Sequence, residues 1–203
     1  MMNQHDKIQE EPNGTTIVAI KTNDSVVIAA DRKVTTHIST MKKDMNKILP
    51  VNENVLLGAA GNVGHLQQIH SEVTNKADKY KHQRGYNMTP KNVIHTVKNK
   101  FLDSFYFTKI AIVGYESNEP IIYCSEPTGS IIEFDPYLSF GSGSSFALGM
   151  LENSYSEDMN TEEVVELAEK AIRIAIERDN MSGNGIYIGI VNKDGYELKT
   201  VSL

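Results

Sequence analysis

One cysteine in 203 residues, Cys124, leaves no partner for an internal disulfide. It lies in the apolar run Ile121-Ile122-Tyr123-Cys124, which reads as a buried, inert thiol, and such cysteine usage fits a reducing compartment. No apolar run approaches the roughly 18 residues that a membrane-spanning helix needs. The N-terminus is charged and polar and lacks the apolar core of a secretory signal, so a cytoplasmic location is expected. Without such a signal the sequon Asn13-Gly14-Thr15 should stay unmodified. The histidines at 5, 37, 65, 70, 82 and 95 make no i,i+4 pair and no HExxH, which argues against a zinc site. There is no GxSxG elbow, no GxxxxGK loop and no GxGxxG followed by a suitable acid. No metal or cofactor is therefore expected. Positive charge is also short: 20 Lys and Arg against 26 Asp and Glu leave a net charge of −6. That balance argues against a nucleic-acid or anionic-membrane partner.

What is present suits one domain with a substantial core, at 40% hydrophobic and 23% charged residues. Residues 1–14 carry a single bulky aliphatic side chain, Ile8, besides two methionines, and cannot bury a core of their own. Strand-like runs follow at Thr15–Lys21 and Ser25–Asp31, joined at Asn23-Asp24, then at Asn46–Val51 and Asn54–Ala60. Val63, Leu66, Ile69, Val73, Ala77 and Tyr80 step at helical spacing, and Thr89-Pro90 opens a second helix with the stripe Val93, Ile94, Val97, Phe101. Strands return at Lys109–Tyr115, Pro120–Ser125, Ser130–Phe134 and Tyr137–Phe140. A short helix runs through Phe146, Met150 and Leu151, and Asn160 with Glu163 opens another in capping-box style. Gly185–Asn192 and Tyr196–Val201 turn at Asp194-Gly195. Strands, two helices, strands, two helices and strands in this order predict an α+β chain. The expected form is a four-layer αββα sandwich of mostly antiparallel sheets.

The junction Gly14-Thr15 carries the first chemical signal. A cut there would give Thr15 both a hydroxyl nucleophile and a free α-amine, a complete nucleophile-and-base pair on one residue. Taken alone, the junction is also ordinary punctuation before a strand. Asp31 ends the apolar run Val26-Val27-Ile28-Ala29-Ala30 and, if buried, needs a cationic partner. Lys47, in Asn46-Lys47-Ile48-Leu49, is either that partner or one more solvated lysine beside Lys42 and Lys43. Asp179 sits at a helix C-terminus, where an acid opposes the macrodipole, and Ser182 follows three residues later. Gly61 offers a close backbone approach and an N–H where an oxyanion could dock, or is simply a helix-entry turn. Gly141-Ser142-Gly143-Ser144-Ser145 is too irregular for a phosphate loop.

Together these residues resemble a proteasome β subunit of the archaeal type. Gly14-Thr15-Thr16-Ile17-Val18-Ala19-Ile20 resembles the family's processed N-terminus, and Val27-Ile28-Ala29-Ala30-Asp31-Arg32 its second-strand motif. Lys47 falls on the family's lysine and Ala60-Gly61 on its Ala-Gly before the first helix. Gly141-Ser142-Gly143 and Arg178-Asp179-x-x-Ser182-Gly183 match its two later motifs. The likeness covers nearly all of Thr15–Leu203. There are departures: Ile17 stands where archaeal members often have Thr, Ala19 where Gly is common, and Lys43-Asp44-Met45-Asn46-Lys47 differs from the usual Ala-Lys-Lys pattern. None of them removes a reacting group.

The resemblance implies the αββα fold of N-terminal nucleophile hydrolases. Residues 1–14 would be a propeptide removed by self-cleavage after Gly14, and 15–203 a single catalytic domain. It implies a threonine endopeptidase subunit of the 20S proteasome core. Thr15 would be the nucleophile, tuned by Asp31 and Lys47. Ser142, Asp179 and Ser182 would support its amine and proton transfer, and Gly61 would bind the oxyanion. The pocket for the residue before the cut would be lined by Val34, Met45, Leu49, Ala59, Val63 and Gln67. Implied partners are β subunits in a seven-membered ring, α-subunit rings, a regulatory ATPase acting through the α ring, and unfolded polypeptides. A catalytically silent β subunit of a mixed ring is one alternative; retention of the glycine, threonine and lysine disfavours it. A subunit of the bacterial two-ring, ATP-dependent protease is another; the 14-residue leader and the last strands disfavour that.

Overall fold

The structure is a computed structural model and describes residues 14–35, 40–103 and 108–203. The expected leader therefore lies outside the described residues except for Gly14. Two strands open the chain, β1 (Thr16–Lys21) and β2 (Ser25–Asp31). Two short ones follow, β3 (Val34–Thr35) and β4 (Thr40–Lys42), then β5 (Ile48–Asn52) and β6 (Val55–Gly61). Helices α1 (Val63–Arg84) and α2 (Pro90–Asp103) come next, followed by β7 (Thr108–Glu116), β8 (Glu119–Ser125), β9 (Ile131–Phe134) and β10 (Tyr137–Gly141). Helices α3 (Ser144–Ser154) and α4 (Thr161–Arg178) precede β11 (Ile186–Asn192) and β12 (Gly195–Val201). Among the described residues no helix is long and apolar enough to cross a membrane.

The main strands form two five-stranded antiparallel sheets, β10-β1-β2-β11-β12 and β5-β6-β7-β8-β9. Three buried clusters define the layers. Val18, Ile20, Val27 and Ala29 face α3 and α4. Ile17, Ala19, Ile28 and Ala30 face Leu56, Ala111 and Val113 of the second sheet. Leu57, Ala59, Ile110 and Ile112 pack on α1 and α2. The expected αββα sandwich is therefore the observed one. β1 and β2 are buried on both faces, which explains why their sequences read as unbroken apolar runs rather than as alternation.

Local chemistry sets the ends of the helices. Asn160 and Glu163 exchange both bonds of a capping box, and Asn62 caps α1 through the His65 N–H. Pro90 takes the first position of α2, with the Thr89 hydroxyl accepting from Asn92 N–H. Three features lie outside the sequence reading or differ from it. The β3–β4 pair has no counterpart in the sequence reading, because strands of two and three residues leave no periodicity to see. Tyr137–Gly141 leaves the sheet of β9 and joins β1 in the other sheet, a choice made by burial against Ile17 and Ala19 rather than by local sequence. Phe146 is exposed on α3, whose buried residues are Ala147 and Leu151. Leu151 is buried as expected and Met150 packs against the same cluster; only Phe146 is misplaced, with Ala147 in the core instead.

Cys124 lies between the sheets and is 1% exposed, and burial pushes its thiol from 9.0 up to about 12. With the folded pKa above the unfolded one, its contribution to stability is complete below about pH 9 and is lost as pH rises toward 12. Iodoacetamide at pH 8 should label the native protein far more slowly than the urea-unfolded chain, read by intact mass. Equal labelling rates would contradict this placement of Cys124.

Candidate active site

The β-ladders bring four chain segments to one point. Register pairs Thr16 with Gly141 and Ile186 with Asp31, so the turn after β10 and the turn before β11 both meet the start of β1. Asp31 is fully buried at the end of β2. Its Oδ1 accepts from Thr16 N–H at 2.9 Å and from Lys47 Nζ at 2.7 Å; its Oδ2 accepts from Lys33 N–H at 3.1 Å and Gly183 N–H at 2.9 Å. All four acceptor positions of the carboxylate are used. The sequence left open whether Lys47 is solvated or paired. It is 3% exposed and bonded to Asp31. It stands one residue before β5 rather than within it, its own carbonyl accepting from Ala59 N–H.

Lys47 Nζ also donates to the Gly14 carbonyl at 3.2 Å, and the Thr15 hydroxyl donates to the same oxygen at 2.6 Å. Burial lowers the ammonium pKa from its usual 10.5, and the Asp31 carboxylate beside it pulls it back up. Gly14 is wedged: a Cβ there would lie 2.2 Å from Met181 Cβ and 2.6 Å from the Thr35 hydroxyl, which accepts from Gly14 N–H. Only glycine fits between the threonine and its surroundings.

A second carboxylate lies on the other side of Thr15. Asp179 is the C-cap of α4. Its Oδ2 accepts from the Ser142 hydroxyl at 2.5 Å and the Ser182 hydroxyl at 2.7 Å, and its Oδ1 from Met181 N–H at 3.1 Å. These donors offset the unfavourable macrodipole. Ser142 Oγ in turn accepts from Thr15 N–H at 3.3 Å, the nitrogen that becomes an amine if the bond after Gly14 is cut. Ser142 N–H holds the Thr15 carbonyl at 2.8 Å.

The structure thus brings Gly14, Thr15, Asp31, Lys47, Ser142, Asp179 and Ser182 together. Gly61 lines a small cavity with Thr15 and Lys47, as do Val34, Met45, Ala59 and Val63. This cavity holds about 10 Å³ of water-accessible volume, room for a single water. Val34, Met45 and Val63 also border a neighbouring cavity of about 780 Å³, where Leu49 and Gln67 lie. That larger cavity carries Arg32, Lys42 and Asp44 as well, charges that the pocket reading did not include. The sequence reading also missed Thr16, Lys33 and Gly183. All three act on Asp31 through backbone N–H groups, which no residue type announces, and Thr16 looked like an ordinary β-branched strand residue.

Comparison with known proteins gives this arrangement a lineage. Residues 11–191 match the sequence profile of a family described as "Proteasome subunit". "Proteasome subunit beta" of Haloferax volcanii is 36% identical over 193 residues, 94% of this chain and 79% of the relative. "Proteasome subunit beta" of Methanobrevibacter smithii is 34% identical over 193 residues, covering 95% and 93%. "Proteasome subunit beta 2" of Thermococcus kodakarensis is 34% identical over 189 residues, covering 92% and 94%.

Removing either partner of the buried pair should have unequal cost. Asp31→Ala leaves the Lys47 ammonium and three N–H groups without their acceptor, an expected loss of about 3–5 kcal/mol. Lys47→Met fills similar volume and leaves Asp31 with three N–H donors, so about 1–2 kcal/mol is expected. Urea unfolding of the two variants decides the order. A Lys47→Met variant less stable than Asp31→Ala would contradict this account of what holds Asp31.

Proposed function

The chain belongs to the proteasome subunit family, as a β subunit of the core particle, and from that premise we propose that it is a threonine-type endopeptidase whose nucleophile, Thr15, is exposed by self-cleavage after Gly14. The observation that carries this reading is one shared oxygen. The Gly14 carbonyl accepts from both Lys47 Nζ and the Thr15 hydroxyl, so a cation polarises the very bond beside which the nucleophile sits.

In the maturation step Thr15 Oγ1 bonds to the Gly14 carbonyl carbon and the Gly14–Thr15 C–N bond breaks. The hydroxyl proton passes to the departing nitrogen. Water then hydrolyses the ester, releasing the Gly14 carboxylate and leaving Thr15 with a free α-amine. That amine, with a reference pKa of about 7.7–8.0, suits a proton acceptor near neutral pH. In peptide hydrolysis Thr15 Oγ1 attacks the substrate carbonyl, the amine takes its proton and returns it to the leaving nitrogen, and Gly61 N–H receives the oxyanion. Water, giving a proton to the amine, then cleaves the acyl ester, releasing the carboxylate product and restoring the Thr15 hydroxyl. Lys47 and Asp31 lower the cost of deprotonating the hydroxyl. Ser142, Asp179 and Ser182 hold the amine in place.

Proteasome β subunits assemble into rings with α subunits. For this chain we take the β ring to be seven-membered, fed with unfolded polypeptide by an ATPase docked on the α ring. Thr15→Ala should retain residues 1–14 by intact mass and lose peptidase activity in particles assembled with the α partner. A Thr15→Ala particle that still sheds residues 1–14, or still cleaves peptides at the parental rate, would sink the reading.

Specificity follows from the wall around Thr15. Val34, Met45, Ala59 and Val63 are apolar, and the cavity they leave is too small for a substrate side chain. Met45 borders both cavities and is flexible, so its displacement would open the small volume into the larger one. Burying a Leu or Phe there is worth roughly 1.5–3 kcal/mol, about ten- to a hundredfold in selectivity. Cleavage after Leu, Phe or Tyr is therefore expected over cleavage after Arg or Asp, on fluorogenic peptides differing only at that residue. A tenfold preference for Arg or Glu over Leu would mean that the pocket is misassigned.

A further inference from the structure

Thr16 is fully buried one residue beyond the proposed nucleophile, and it bonds toward both carboxylates of the site. Its backbone N–H donates to Asp31 Oδ1 at 2.9 Å. Its hydroxyl lies 2.8 Å from Ser182 Oγ and accepts from Gly143 N–H at 3.1 Å. Proton counting fixes the direction of this chain. The Asp179 carboxylate has no hydrogen to give, so the Ser182 hydroxyl spends its only proton on Asp179 Oδ2 at 2.7 Å. The 2.8 Å contact between Thr16 and Ser182 then requires Thr16 to be the donor. The Thr16 oxygen keeps its lone pairs for Gly143 N–H. The sequence of donors is Gly143 N–H to Thr16, Thr16 O–H to Ser182, Ser182 O–H to Asp179.

The surroundings are built for this chain. A Cβ at position 143 would lie 2.3 Å from Thr16 Oγ1, so a glycine is needed for its N–H to reach the hydroxyl. Gly143 is the N-cap of α3 and has no side chain with which to cap it. Ser142, which touches the Thr15 nitrogen, shares the same Asp179 oxygen with Ser182. Were the Ser182 proton to turn away, that Asp179 oxygen would keep only the Ser142 hydroxyl as its donor.

We infer that the Thr16 hydroxyl is a positioning residue for proton transfer at Thr15: it locks the Ser182 proton onto Asp179 and so keeps Asp179 and Ser142 aligned on the Thr15 amine. The inference rests on the peptidase reading above. It asks of Thr16 a polar role that a β-branched core residue does not have.

The test uses particles assembled with the α partner, whose cleavage after Gly14 is first checked by intact mass. Thr16→Val keeps the shape and removes the hydroxyl. It should lower kcat about ten- to a hundredfold, leave KM within about twofold, and shift the acid limb of the kcat/KM pH profile. Thr16→Ser restores the donor and should recover activity to within about threefold of the parent. Because the effect is routed through Ser182, Thr16→Val in a Ser182→Ala background should cost less than twofold more than Ser182→Ala alone. If Thr16→Val does not assemble, Thr16→Ala takes its place in each comparison. A cleaved Thr16→Val particle with parental kcat and pH profile, or full additivity with Ser182→Ala, would overturn the inference. So would a hydroxyl requirement for assembly alone, with neither hydroxyl-free variant forming particles. An inactive parent particle is a different failure: it sinks the peptidase reading, and this inference with it.

Discussion

Everything at this site hangs on one buried carboxylate. Asp31 has no contact with water, so its charge must be met entirely by the protein, and it is met by four donors from four different parts of the chain. Thr16 belongs to β1, Lys33 to the segment after β2, Lys47 to the entry of β5, and Gly183 to the turn before β11. Each of those contacts also fixes a group on which the proposed reaction depends. Thr16 carries Thr15 with it, Lys47 reaches the Gly14 carbonyl, and Gly183 holds Ser182 beside Asp179. The desolvation cost of the charge is thereby converted into geometric precision, since any slackness would leave a donor or the carboxylate unpaired.

The sandwich explains why such a carboxylate can exist. β1 and β2 are covered on both faces, by α3 and α4 on one side and by the second sheet on the other. Water is excluded where β2 ends. In that low-dielectric setting the Lys47 ammonium is pressed toward its neutral form by burial and held charged by Asp31, a balance suited to assisting a hydroxyl. The site lies at the sheet ends, where ladders stop and turns begin. Close-packed strands there supply rigidity; the turn at 141–143 supplies N–H donors to Thr15 and Thr16, and the turn at 179–183 supplies the Ser182 oxygen that accepts from Thr16 and the Gly183 N–H that holds Asp31.

The two sides of Thr15 differ in chemistry. On the Asp31 side the groups are charged, and Lys47 meets the Gly14 carbonyl to which the Thr15 hydroxyl also donates. On the Asp179 side they are hydroxyls strung toward the Thr15 nitrogen. The peptide unit of Thr15–Thr16 runs between them, which is why a residue with a structural-looking sequence context, Thr16, touches both.

Much of this was legible from the residues alone. The order of strands and helices was readable because the buried faces repeat at helical or strand spacing. The capping box at Asn160 and Glu163 and the proline at position 90 announced helix starts, because those contacts are local in sequence. Thr15, Asp31, Lys47, Ser142, Asp179 and Ser182 could be singled out by residue type and motif. Their partners could not. Whether Lys47 was solvated or paired was decided by how β5 enters the second sheet, 16 residues from Asp31. The sheet that β10 joins, the exposure of Phe146 and the closure of the cavity beside Met45 depended on packing between distant elements. So did the donors Thr16 N–H, Lys33 N–H and Gly183 N–H, because backbone groups carry no signature in a sequence. The sequence by itself determined which groups could react and which faces would be buried, since both follow from side-chain chemistry and short-range periodicity. Only the tertiary structure decided which of those groups meet, because a buried charge takes its partners from whichever segments the ladders bring within hydrogen-bond reach.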